Sequence, residues 1–100
     1  MSNTLGAVIK ELRERKGILQ QDMAEKIGVS VQSISNIERD RQYPSQKHLE
    51  AIATALKIPI QVIEALSINP KVVEDPERQE PLEKAFKSLK LLIRDVYDLT

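Results

Sequence analysis

The sequence predicts an all-α protein, and three observations carry that expectation. Apolar residues recur at helical spacing along the chain, and no stretch of useful length alternates as a strand would. Small polar residues and glycines stand where helices would begin and end. Five short helices account for residues 1–68, and an amphipathic helix over residues 81–100 follows a linker at 69–80.

The first helix carries Leu5, Val8, Ile9 and Leu12 at i, i+3, i+4 and i+7; Thr4 or Asn3 can cap it and Gly17 can end it. The second begins near Leu19 or Gln20, turns Met23, Ala24 and Ile27 inward, and closes at Gly28. Ser30 caps a third helix from Val31 to about Arg39. After the connector DRQYPS, Ser45 caps a fourth with Leu49, Ile52, Ala53 and Leu56 inside. Pro59 suits the first turn of a fifth, which carries Val62, Ile63 and Leu66. SINPKVVEDPERQEP then holds three prolines and several charges and reads as a linker. In the last helix Leu82, Leu89 and Val96 recur seven apart, as do Ala85, Leu92 and Leu99; Phe86 and Ile93 widen the stripe. Glu80–Lys84, Glu83–Lys87 and Arg94–Asp98 are favourable pairs on its outer side.

Composition excludes several function classes. With no cysteine there is no disulfide scaffold, Cys-containing zinc site or thiol nucleophile, which fits a reducing compartment. The lone His48 has no metal-ligand partners at suitable spacing, and Asp22 and Glu25 are better explained as charges complementing a helix start. Ser33 and Ser35 have no adjacent base, and Gly6, Gly17 and Gly28 form no phosphate loop. No catalytic residue, metal site or cofactor is expected. No apolar run approaches the ~18 residues of a membrane span, and the N-terminus has no basic start, so the chain reads as soluble and cytoplasmic. Fifteen basic against fifteen acidic residues give no net charge, which by itself is weak support for a nucleic-acid binder.

The third helix argues the other way. At roughly 100° per residue, Ile34 and Ile37 fall on one side and Ser35, Arg39, Gln32, Asn36 and Ser33 fill an arc of roughly 160° on the other. A merely solvated face is usually built from Glu, Lys and Arg, which favour helix. Amides and hydroxyls are poorer helix formers but present donor and acceptor together, matching the N6/N7 edge of adenine in the major groove. Val31, at the exposed start, could touch a thymine methyl. Upstream, LQQDMAEKIGVSVQSISNIE reads as two helices joined by Gly28-Val29-Ser30, with Gly28 at positive φ, Ala24 small at the crossing and Val29 as an apolar plug. That is the helix-turn-helix arrangement.

The run from Leu5 to about Leu66 resembles the phage repressor and Cro-like (XRE-type) helix-turn-helix domains. The resemblance rests on the combination of Arg13, Gly17, Gln20, Ala24, Gly28-Val29-Ser30, Ile34-Ser35, Ile37-Glu38, Pro44 and Leu49-x-x-Ile52-Ala53-x-x-Leu56. It implies a five-helix repressor-like domain, with base contacts from Val31, Gln32, Ser33 and Asn36 and phosphate contacts from Gln20, Arg39 and Arg41; Ser35 joins the latter as a hydroxyl donor. It also implies an ion pair between Arg13 and Glu38; the wheel agrees, because Glu38 borders the apolar side. Three positions depart from the family: Leu19 replaces a capping Ser or Thr, Asp40 replaces Gly or Asn near the expected phosphates, and Lys57 replaces Gly.

The expected function is therefore a sequence-specific transcriptional regulator, a repressor, on double-stranded DNA. The stripe Leu82, Ala85, Phe86, Leu89, Leu92, Ile93, Val96 and Leu99 is expected to form a homodimer seam in trans, which would direct the protein to a near-palindromic site; packing in cis on the DNA-binding domain, or on another protein, is the alternative. Two readings stay open: an antitoxin-like module whose last helix grips a partner protein, with or without DNA binding, and a helical scaffold that has lost DNA binding.

Overall fold

The computed structural model describes residues 4–67 and 87–96. The chain divides into two units, Met1–Ser67 and Ile68–Thr100. The first contains α1 (Leu5–Arg15), α2 (Gln20–Ile27), α3 (Val31–Glu38), α4 (Gln46–Leu56) and α5 (Ile60–Leu66). In the second, residues 87–96 are helical. Leu82, Ala85, Phe86 and Leu99 lie outside the described residues, as do members of the three outer charge pairs.

Each helix start has a local cause. The Thr4 hydroxyl accepts from the Ala7 N–H, Ser30 from Ser33 and Ser45 from His48, so three of the five helices have a side-chain N-cap. At Leu19 the chain has the extended geometry of a cap but no side chain to supply the bond. Pro59 stands one residue earlier than expected, at the cap of α5 rather than inside its first turn.

Four helices end on a left-handed residue. Gly17 (φ 70°) and Gly28 (φ 76°) adopt this region without a Cβ penalty, whereas Asp40 (φ 60°) and Lys57 (φ 58°) adopt it against one. After α3 the Asp40 N–H donates to the Ile37 carbonyl at 3.1 Å and the Arg41 N–H to the Asn36 carbonyl at 2.9 Å. After α4 the Lys57 N–H donates to Thr54 and the Ile58 N–H to Ala53, both at 3.1 Å. Both are the paired closing bonds of a Schellman ending, which glycine usually serves. Ile58 is buried directly after, so its apolar anchor holds Lys57 in place.

The core is aliphatic. Val8, Ile9 and Leu12 of α1, Met23, Ala24 and Ile27 of α2, Ile34 and Ile37 of α3, Leu49, Ile52, Ala53 and Leu56 of α4, and Ile63 and Leu66 of α5 are all buried. α3 packs on α1 and α2, α4 on α2 and α5, and α5 closes against α1. Leu5 is half-buried rather than in the core. The arrangement leaves α3 held from behind by two helices with its other face outward.

Candidate nucleic-acid interface

Glu38, at the last position of α3, is 6% exposed and faces Arg13 of α1, 8% exposed. The pair is bidentate: Arg13 Nε donates to Glu38 Oε2 at 2.6 Å and Nη2 to Oε1 at 3.1 Å. The remaining guanidinium nitrogen, Nη1, donates to the Ile18 carbonyl in the α1–α2 turn at 2.7 Å. Gln20 Nε2, on the first residue of α2, completes Glu38 with a 3.0 Å bond to Oε1. One carboxylate thus ties together three helices and the turn between two of them. The hydrogen bonds Arg13 donates to Glu38 outweigh the cost of burial and raise the Arg13 pKa above its already high ordinary value, so the guanidinium stays charged. No buried side-chain nitrogen or oxygen among the described residues lacks a partner.

The ion pair inferred from the resemblance is therefore formed. Gln20 has its amide nitrogen turned to Glu38, which makes it a brace of the buried network.

Asp40 has a structural role. It accepts a hydrogen bond from the Thr4 hydroxyl and, at 3.0 Å, from the Gly6 N–H. α1 has no acidic residue in its own first turn. Asp40 supplies that charge from the far end of α3, where the positive end of the α1 dipole favours it. The contact requires Gly6: a Cβ there would lie 2.3 Å from the Ile37 carbonyl oxygen and 2.6 Å from Asp40 Oδ1.

The outward face of α3 is ordered by its own bonds. Gln32 Nε2 donates to Asn36 Oδ1 at 3.2 Å. The Ser30 hydroxyl donates to Ser33 Oγ at 3.2 Å while accepting from the Ser33 N–H at 3.0 Å. Val31, Gln32, Arg39 and Arg41 are exposed; Ser33, Ser35 and Asn36 are half-buried. At the end of α3, Glu38 and Asp40 both bond to α1, and Arg39 and Arg41 are exposed beside them.

Sequence reasoning passed over two features here. The Asp40–Gly6 clasp spans 34 residues, and no local pattern announces it. Leu19 (65% exposed) and Tyr43 (78% exposed) are large side chains in the open, at the start of α2 and in the loop after α3. Among the described residues no helix is long and apolar enough to cross a membrane.

A helix held from behind by apolar packing and a buried ion pair, with short hydrogen-bonding side chains turned outward, is the recognition element of a helix-turn-helix DNA-binding protein. Residues 9–63 match the helix-turn-helix family. The chain is 38% identical over 71 residues to the ImmF control region 10 kDa protein of Bacillus phage phi105, an alignment covering 71% of this chain and 77% of that protein. It is 42% identical over 60 residues to the immunity repressor protein of the same phage, covering 60% of this chain and 42% of the repressor. Against the transcriptional regulator ClgR of Mycobacterium tuberculosis it is 36% identical over 59 residues, 59% of this chain and 53% of that protein. The chain belongs to the phage repressor and Cro-like helix-turn-helix family, whose members are DNA-binding transcriptional regulators and not enzymes.

Proposed function

We propose that this protein is a sequence-specific repressor that acts in the cytoplasm and binds double-stranded DNA as a homodimer on a near-palindromic site. The observation that carries the reading is the division of α3. Ile34, Ile37 and Glu38 are buried, while amides and hydroxyls occupy the opposite side. Val31, Gln32, Ser33 and Asn36 would meet base edges in the major groove, and Ser35, Arg39 and Arg41 would anchor on phosphates. Gln20 would add a phosphate contact through the donors its bond to Glu38 leaves over, the second N–H of Nε2 and the backbone N–H at the helix start.

Dimerisation is assigned to the C-terminal segment, residues 81–100, joined by the linker at 69–80. Leu89, Leu92 and Val96 are 44%, 63% and 75% exposed, and their spacing puts them on one side of the helix with half-buried Ile93. Such a stripe calls for a partner, and a second copy would set two recognition helices about one DNA turn apart, ~34 Å. The same stripe also supports a second reading, an antitoxin-like module that grips another protein.

The test is selection from a random DNA pool at ~150 mM salt, where non-specific phosphate attraction is weakened. An enriched inverted repeat with one-turn spacing supports the dimeric regulator. A folded protein that enriches nothing overturns it. A chain ending before Pro81 should be monomeric by sedimentation; if it still dimerises, the last helix is not the seam.

A further inference from the structure

Among the outward residues of α3, Gln32 and Asn36 are joined side chain to side chain. They stand one helical turn apart, and the 3.2 Å bond from Gln32 Nε2 to Asn36 Oδ1 lies on the exposed surface. An exposed amide pair gains little stability, because water would serve either group as well. Its effect is on geometry. A lone Asn or Gln on a surface samples several rotamers and both amide orientations, and holding one on DNA costs conformational entropy. A mutual bond removes part of that freedom before DNA arrives.

The bond also decides what each amide has left to offer. An amide carbonyl oxygen accepts two hydrogen bonds and its NH2 donates two. Gln32 spends one N–H and keeps the other, together with its whole carbonyl oxygen. Asn36 spends one acceptor site on Oδ1 and keeps the second, together with both N–H groups of Nδ2. The remaining Asn36 atoms, one acceptor and one donor in a plane, match the N6–H donor and N7 acceptor of adenine. The half-buried Asn36 is the less mobile partner, and its backbone carbonyl is held by the Arg41 N–H at 2.9 Å and the Gln42 N–H at 3.3 Å. Gln32, exposed and one turn nearer the start of α3, fixes the amide plane from the other side. Ser33 belongs to a separate tie with Ser30 and keeps its own O–H for donation.

We propose that Gln32 and Asn36 read DNA as one unit, with Asn36 contacting an adenine and Gln32 orienting it as a positioning residue. The inference rests on the major-groove reading above and goes beyond it, since independent base contacts would satisfy that reading equally well.

A double-mutant cycle on the DNA selected by the unmodified chain tests it. Gln32→Ala and Asn36→Ala should each weaken binding by about 10-fold, within the range of one bidentate base contact. The double variant should bind within about threefold of the weaker single variant, not ~100-fold below the starting chain, because coupled residues do not add. Arg39→Ala, outside the pair, should add to either. Repeating the selection with Gln32→Ala should lose the base preference that Asn36→Ala loses. Alanine favours helix at both positions, and unchanged circular dichroism verifies that the variants are folded. Additive losses, or separate base preferences lost, overturn the pair and leave the groove reading standing. An unmodified chain that selects no sequence overturns both.

Discussion

The Asp40 carboxylate, just past the end of α3, accepts a hydrogen bond from the Gly6 N–H in the first turn of α1 at 3.0 Å. A residue at the family's glycine position thus has two jobs that pull against each other. It holds a left-handed φ of 60°, which an L-residue adopts at a cost, and it caps a helix 34 residues away. Substitutions separate the two. Asp40→Ala keeps the strain and loses the cap, and should destabilise by about 1–2 kcal/mol. Asp40→Gly loses the cap but relieves the strain and should cost less. Asp40→Asn keeps an acceptor and tolerates the conformation, so it should stay nearest to the starting protein. Urea midpoints for the three give the order.

Gly6 is the other half of the clasp. Gly6→Ala would improve intrinsic helix propensity by up to about 1 kcal/mol. Its Cβ would nevertheless meet the Ile37 and Glu38 carbonyl oxygens at 2.3 and 2.9 Å, and these backbone atoms cannot rotate away. The steric cost should win, with net destabilisation of about 1–3 kcal/mol. Because α1 would have to move off the end of α3, DNA affinity should fall as well, measurable at a temperature where the variant is still folded.

Removing one partner of the Arg13–Glu38 pair leaves a buried charge alone. Arg13→Met or Glu38→Leu should therefore cost about 3–5 kcal/mol in chemical denaturation, while the combined variant should recover much of that loss. Arg13→Lys keeps the charge but cannot serve both Glu38 oxygens and the Ile18 carbonyl at once, and should fall between. The sign of the pH response follows from the raised Arg13 pKa: the stabilisation is fully present below the unfolded-state pKa of the guanidinium and fades only as pH rises through the folded one. Mild alkali should leave this contribution untouched.

Lys57 offers a gain. It ends α4 at φ 58° with an exposed side chain. Lys57→Gly relieves the left-handed strain but adds freedom to the unfolded chain, and the first should exceed the second by about 0.5–1 kcal/mol. A rise in thermal midpoint with unchanged DNA binding is the expected result.

The fold was legible where one residue type has one job. Ile34 and Ile37, or Leu49, Ile52 and Leu56, are apolar at helical spacing, and all are buried. Gly17 and Gly28 mark left-handed ends because glycine pays least there. Asp40 and Lys57 were visible only as departures from glycine; that they keep the same conformation depends on packing that no local pattern encodes, such as buried Ile58 beside Lys57. Gln20 has a second role for a related reason. Its amide nitrogen donates to Glu38, 18 residues away, on an oxygen that Arg13 also bonds, and nothing in the local pattern announces that tie. Tertiary partners, not sequence spacing, decide such residues.

Phosphate anchoring and base reading should separate in salt. Arg39 and Arg41 are exposed just past the end of α3. If each arginine neutralises one phosphate, Arg39→Ala and Arg41→Ala should each weaken binding to all sequences alike and reduce the slope of log K against log salt by about 1. Asn36→Ala should do the reverse, lowering the preference for the selected sequence while leaving the slope unchanged. Titrations from about 50 to 200 mM salt on selected and scrambled duplexes distinguish these outcomes. An unchanged slope for both arginine variants would mean that the basic side chains after α3 do not reach the backbone, and that the protein docks on DNA at another angle.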